Sequence, residues 1–314
     1  LVVDLFVANA KQRLLIFTTN GRVFQNHVYD LPLGQRASKG RPIITLLPRL
    51  EENEGIAAVL PIPEAEEGLF VMTATCNGIV KKTELDAFRN INVAGLRAVN
   101  IRENDHLVLV RLVRPGQEIL LATSSGLSIR FAESDVRAMG RAASGVTGVR
   151  LRKGDEVIGM EVIEDPLGAL LTVTDKGFGK RTSLSEHRLQ TRGGIGIITI
   201  KTGSRSGQVI AVLQVREEHN VLLVTDHGTI IRTRVHEIRE TGRNAMGVRI
   251  IRTDEDEHVV AVARVVDSED EASIAAADEV AEGLVRDVVP EELPGEEELG
   301  DEDLSAQDEL AEAE

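Results

Sequence analysis

The residue types that neutralise phosphate recur here at fixed positions. Four residues after each of five recurrent turn glycines (Gly21, Gly78, Gly126, Gly177, Gly228) stand Gln25, Lys82, Arg130, Arg181 and Arg232. Eleven residues after them stand Pro32, Arg89, Arg137, Arg188 and Arg239. A third column, four residues ahead of a second recurrent glycine, holds Arg36, Ile91, Arg141, Arg192 and Arg243, and Lys39, Arg41, Lys81, Arg97, Lys180 and Arg234 thicken the same segments. Each column is basic in four of five units and contains no Asp or Glu, whereas a face that merely solvates itself would mix signs. Such a series suits a polyanion whose own charges recur along a rod, and duplex DNA has that form. Binding by phosphate neutralisation releases counterions, so it is weakly sequence-selective and steeply salt-dependent. No helix-turn-helix, zinc-finger or basic-zipper pattern supplies base reading, and the 3% aromatic content is too low for stacking on single strands.

Catalytic readings find little support. The sole tyrosine, Tyr29, follows a hairpin strand and reads as a packing residue. The seven histidines fall at unrelated repeat positions without ligand spacing, which predicts no metal site. Gly177-Phe-Gly-Lys180 and Arg192-Gly-Gly-Ile-Gly196 lack the Walker and dinucleotide spacings and open no helix, so no cofactor is expected in this chain. Asp254-Glu-Asp-Glu257 reads as a solvated turn, and Cys76 as a small apolar strand residue.

The elements that must carry the cations follow from the glycines, spaced by 57, 48, 51 and 51 residues. Each turn glycine separates two runs rich in Val, Ile, Leu and Thr, as in Val221-Leu-Leu-Val-Thr-Asp-His-Gly, and glycine reaches the positive φ of a tight hairpin without steric cost. The second glycine follows 17 residues later as Gly95, or 19 as Gly40, Gly145, Gly196 and Gly247, and two further apolar runs come after it. Four strands per unit make an antiparallel sheet that cannot bury both faces alone, so an all-β propeller-like disc of stacked blades is expected. Val2-Val-Asp-Leu-Phe-Val-Ala-Asn9 matches the last strand of a unit. That predicts an incomplete first blade, six in all, with the remainder of one lying upstream of Leu1.

Charge divides the chain at residue 266. From 267 to 314 there are 20 acidic residues against Arg286, a net of −19, which leaves 35 basic and 31 acidic residues, or +4, in the body. The first segment is read as one domain and the second as a disordered acidic tail that competes with DNA for the basic belt. A single cysteine excludes an internal disulfide, and no apolar stretch approaches the ~20 residues of a membrane span. A soluble, cytoplasmic, monomeric domain is expected.

Several segments together resemble the C-terminal DNA-wrapping domain of DNA gyrase A, part of a type IIA topoisomerase. They include Gly40-Arg-Pro-Ile, Gly78-Ile-Val-Lys-Lys-Thr, Val136-Arg-Ala-Met-Gly, Gly145-Val-Thr-Gly-Val-Arg-Leu, Gly177-Phe-Gly-Lys-Arg-Thr and Gly242-Arg-Asn-Ala-Met-Gly-Val. The resemblance implies a six-bladed β-pinwheel whose neighbouring blades exchange a strand, with DNA on the outer rim. It also implies a non-catalytic role, wrapping DNA so that strand passage introduces negative supercoils. ATP and Mg would act elsewhere, in an A2B2 holoenzyme formed with the rest of gyrase A and with gyrase B. The family's box, Gln-Arg-Arg-Gly-Gly-Lys-Gly, is matched at five of seven positions by Gln190-Thr-Arg-Gly-Gly-Ile-Gly196 and more loosely by Gln35-Arg-Ala-Ser-Lys-Gly40, so the full box is expected upstream. The corresponding C-terminal domain of topoisomerase IV is the nearest alternative. A protein-binding propeller of the WD-repeat kind is remoter, since Trp is absent.

Overall fold

The computed structural model describes residues 8–34, 40–47, 49–63, 67–254 and 256–265. Unit one supplies β1 (Arg13–Thr18), β2 (Arg22–His27) and β3 (Ile56–Ile62). Unit two supplies β4 (Phe70–Thr75), β5 (Ile79–Glu84), β6 (Leu96–Arg97) and β7 (Leu107–Val113). The same order recurs in unit three as β8 (Glu118–Thr123), β9 (Leu127–Ala132), β10 (Val146–Thr147) and β11 (Val157–Ile163). Unit four gives β12 (Ala169–Thr174), β13 (Phe178–Ser183), β14 (Ile197–Ile198) and β15 (Val209–Val215). Unit five gives β16 (Asn220–Thr225), β17 (Ile230–Arg234), β18 (Val248–Arg249) and β19 (Val259–Val265).

A threonine sets each hairpin turn. Thr18, Thr75, Thr123, Thr174 and Thr225 are buried, and each hydroxyl accepts from the backbone N–H four residues on, at 3.1 to 3.3 Å. This side-chain bond closes the turn while the glycine between supplies the positive φ. Gly78 is fixed twice over, because a Cβ there would lie 2.6 Å from the Val149 carbonyl oxygen of the next unit.

Five antiparallel sheets result, with strand orders β3-β1-β2-β6, β7-β4-β5-β10, β11-β8-β9-β14, β15-β12-β13-β18 and β19-β16-β17. The seven-residue strands β3, β7, β11, β15 and β19 pack beside one another in that order. At the opposite edge of each of the first four sheets sits a two-residue strand donated by the following unit. The expectation of six blades is corrected to five, because these residues contain five hairpins and each sheet is built on one. Four strands per blade holds for the first four sheets, while the fifth has three among the described residues. The third run of units two to five contributes only two paired residues, and it contributes them to the preceding hairpin. Most of the strand expected at residues 2–9, and the acidic segment 267–314, lie outside the described residues.

The core lies between sheets, so stacking rather than any single sheet removes apolar surface from water. Phe17, Val71, Leu85, Phe88, Leu107 and Val110 fill the first gap; Met72, Val80, Leu121, Phe131, Val136 and Met160 fill the next. Full burial of each such side chain contributes ~1.5–3 kcal/mol. Among the described residues no helix is long and apolar enough to cross a membrane.

Candidate nucleic-acid interface

The first basic column points into the seams between blades. Lys82 on β5 pairs with the Glu133 carboxylate and donates to the Glu133 carbonyl at 3.2 Å, with only 6% of the residue exposed. Arg130 on β9 pairs with Glu118 and directs Nη1 to the carbonyls of Leu184 (2.9 Å) and His187 (3.2 Å). Arg181 on β13 donates from Nε to the Ile238 carbonyl at 2.6 Å and from Nη1 to Glu217 at 3.2 Å. The carbonyls reached, those of Glu133, Leu184, His187 and Ile238, lie on or just after the short 3-10 helix that follows the next hairpin. Gln25 interrupts the column, yet the seam keeps its cation. Arg13 on β1 reaches from the neighbouring strand to Gln25 Oε1 (3.4 Å) and the carbonyls of Phe88 (3.2 Å) and Arg89 (3.5 Å). Arg232, at the same register in the fifth sheet, is exposed on β17.

Lys81 and Lys180 are also internal. Lys81 Nζ donates to the carbonyls of Ala98 and Arg141, both at 2.6 Å, and Lys180 Nζ to those of Gly242 (2.6 Å) and Arg243 (2.8 Å). Burial pushes both ammonium groups down to about 8. Lys81, Lys82, Lys180 and Arg181 therefore tie units together instead of facing solvent.

The second column is the one that reaches water. Arg89, Arg137, Arg188 and Arg239 are all exposed, and each directly follows a buried residue: Phe88, Val136, His187 or Ile238. Each arginine thus starts from a fixed backbone point beside a 3-10 helix. Arg89 pairs at 2.9 Å with Asp86. His187 is the polar member of the anchor set; its Nδ1 lies 3.2 Å from Ser128 Oγ, and burial lowers its pKa to about 4.

The third column is half-buried across the outer edges. Arg192 Nε donates to the Asp135 carbonyl (2.9 Å) and Nη1 to that of Thr147 on β10 (3.0 Å); Arg243 Nη1 donates to the Ile198 carbonyl on β14 (3.0 Å). Arg141 is half-buried as well, while Arg41, Arg97 and Arg234 are exposed. Arg36 and Lys39 lie outside the described residues.

One cationic register escaped the sequence reading. Five residues after the second glycine stand Thr45, Asn100, Arg150, Lys201 and Arg252, all exposed. Counting from that glycine finds the three cations, but Thr45 and Asn100 break the series. The inner strands likewise carry charge that no repeat position signalled: Arg111 approaches Glu161 at 3.9 Å, and Glu161 is raised by burial, an effect Arg111 partly offsets.

The family described as "DNA gyrase C-terminal domain, beta-propeller" matches residues 12–63, 70–114, 117–164, 169–216 and 219–265, the five units above. The DNA gyrase A protein of Salmonella typhimurium is 44% identical over 288 residues, covering 91% of this chain and 32% of the relative. That of Staphylococcus aureus is 39% identical over 303 residues, covering 94% and 34%. The chain thus spans about a third of the curated relatives it matches. Among solved structures, the C-terminal domain of DNA topoisomerase IV superposes with a TM-score of 0.76 at 27% identity, covering 87% of this chain and 84% of the other. A DNA gyrase A C-terminal domain gives 0.72 at 22%, covering 82% and 84%, a likeness of fold. With five matched units coinciding with five sheets, the chain belongs to the DNA gyrase C-terminal domain family.

Proposed function

We propose that this chain binds duplex DNA along the exposed basic edge of successive blades and bends it without strong sequence preference. Within a full-length gyrase A protein it sets the handedness of the wrap, so that ATP-dependent strand passage produces negative supercoils. The ATP and Mg of that cycle belong to the rest of an A2B2 assembly with gyrase B, acting in the cytoplasm. One observation carries this reading: four consecutive units each raise an arginine into solvent from a buried anchor at the same register. Bending a 20–30 base-pair site by 40–90° costs ~1–6 kcal/mol, and charge-assisted contacts repeated on each blade offset it.

The test is to bind the chain to a nicked circle, ligate, and read the linking number. A shift of one consistent sign supports handed wrapping. Binding without a shift removes the wrapping claim and favours the decatenating role of a topoisomerase IV domain, a second reading motivated by the 0.76 TM-score of that relative. Absence of a salt-dependent mobility shift removes both.

A further inference from the structure

Between units three and four, and again between four and five, two hydrogen bonds bring one cation of each unit to the same seam. The Arg150 N–H donates to the Gly194 carbonyl at 2.8 Å, while Arg192, two residues before that glycine, reaches the carbonyl of Thr147, three residues before Arg150. The next seam repeats the arrangement: the Lys201 N–H donates to the Ala245 carbonyl at 3.2 Å, and Arg243 reaches the carbonyl of Ile198. The offsets, minus three and plus two residues, are identical at the two seams. Lys180 holds the carbonyl of Arg243 from beneath. The seam between units two and three retains the backbone bond, from the Asn100 N–H to the Ala143 carbonyl at 3.2 Å. Its side-chain chemistry differs, because Asn100 accepts from Arg97 at 3.2 Å and donates to Ser144 at 3.3 Å.

Resting on the DNA reading above, we infer that each reciprocal pair, Arg150 with Arg192 and Lys201 with Arg243, is a phosphate subsite. The backbone of one duplex touches down there once per seam, and Asn100 marks the seam where contact is weakest. Each pair combines one exposed cation with one whose guanidinium is already oriented by a carbonyl, so the second loses little side-chain freedom on binding. The pairing recurs with the same offsets at two successive seams, as a phosphate track bent around the blades requires. Arg252 occupies the corresponding register at the end of the series.

The experiment measures affinity of the 314-residue chain for a long mixed-sequence duplex across a salt series, with thermal melting as the check on folding. In the double variant Arg150→Ala, Lys201→Ala the slope of log K against log salt should fall in magnitude by about 1.8, from ~0.9 per phosphate contact. Asn100→Arg, which adds the missing cation, should raise it by about 0.9 and tighten binding. The gain-of-function variant keeps the inference testable should the double variant melt early. Unchanged slopes in these variants, with wild type still binding and Arg137→Ala, Arg188→Ala weakening it, would overturn the subsites and leave the DNA reading standing. A wild-type chain that binds no duplex overturns both.

Discussion

In the fourth sheet Arg181 is 7% exposed and β13 is buried along five of its six residues; in the fifth, Arg232 stands at the same register on β17, whose residues are exposed or half-buried in alternation. The hairpins themselves are alike in turn glycine and threonine. What differs is the cover that the described residues of a following unit supply. A Cβ on Gly177 would lie 2.4 Å from the Ile251 carbonyl oxygen of unit five, whereas a Cβ on Gly228 would meet nothing within 4 Å. Equivalent sequence therefore acquires a different physical role from its neighbour: a cation within an array becomes a seam pin, and the same cation at its edge stays nearer water.

The largest expected effects lie at the turn glycines. Gly177→Ala should cost about 4 kcal/mol, since positive φ and collision with a backbone carbonyl add, while Gly228→Ala should cost about 1 kcal/mol from φ alone. Denaturant unfolding measures both, and equal losses would mean that the following unit does not set the constraint. Next in size in the same unfolding measurement, Glu133→Ala strips the partner from buried Lys82 and should cost about 3–4 kcal/mol.

Acid should distinguish one seam from the others. His187 fills the anchor place held elsewhere by Phe88, Val136 and Ile238. Its folded pKa of about 4 lies below the ordinary 6.5, so the unfolded chain takes up the proton first as pH falls. Stability is full above pH ~6.5 and lost progressively towards pH ~4, by about 3 kcal/mol in all. His187→Ile should flatten that slope in melts run from pH ~7 to ~4; an unaltered slope would place the acid sensitivity elsewhere. The smallest expected effect on stability comes from Arg89, Arg137, Arg188 and Arg239 replaced together by Ala. Melting should barely move, while the salt slope of DNA binding falls in magnitude by about 3.6. A large loss of melting temperature would show that this column, too, serves the seams.

Much of the architecture was legible in the sequence, because φ > 0 at a tight turn and a closing threonine leave few residue choices. The ownership of the outer strand was not. A periodic sequence looks the same whether a run pairs with its own hairpin or with the one before, and only the pairing of Gly179 with Val248 and of Phe178 with Arg249 in the β13–β18 ladder decides. Blade number suffered likewise, since a strand-like segment at residues 2–9 signals a sheet without supplying its hairpin. Among the cations, period located the columns but carried no direction. Lys82 and Arg137 are equally regular, yet one meets Glu133 in a seam and the other meets solvent. Acids at irregular positions, such as Glu118 and Glu133, held that information.

Strand donation also gives the array a polarity during synthesis. Each of the first four hairpins leaves the ribosome with its outer edge unpaired, and that edge stays open until the second glycine of the next unit has emerged, some seventy residues after the hairpin's own turn. Trimming from the C-terminal end consequently exposes the sheet before the cut, whereas trimming whole units from the N-terminal side leaves every later sheet with its full complement of strands.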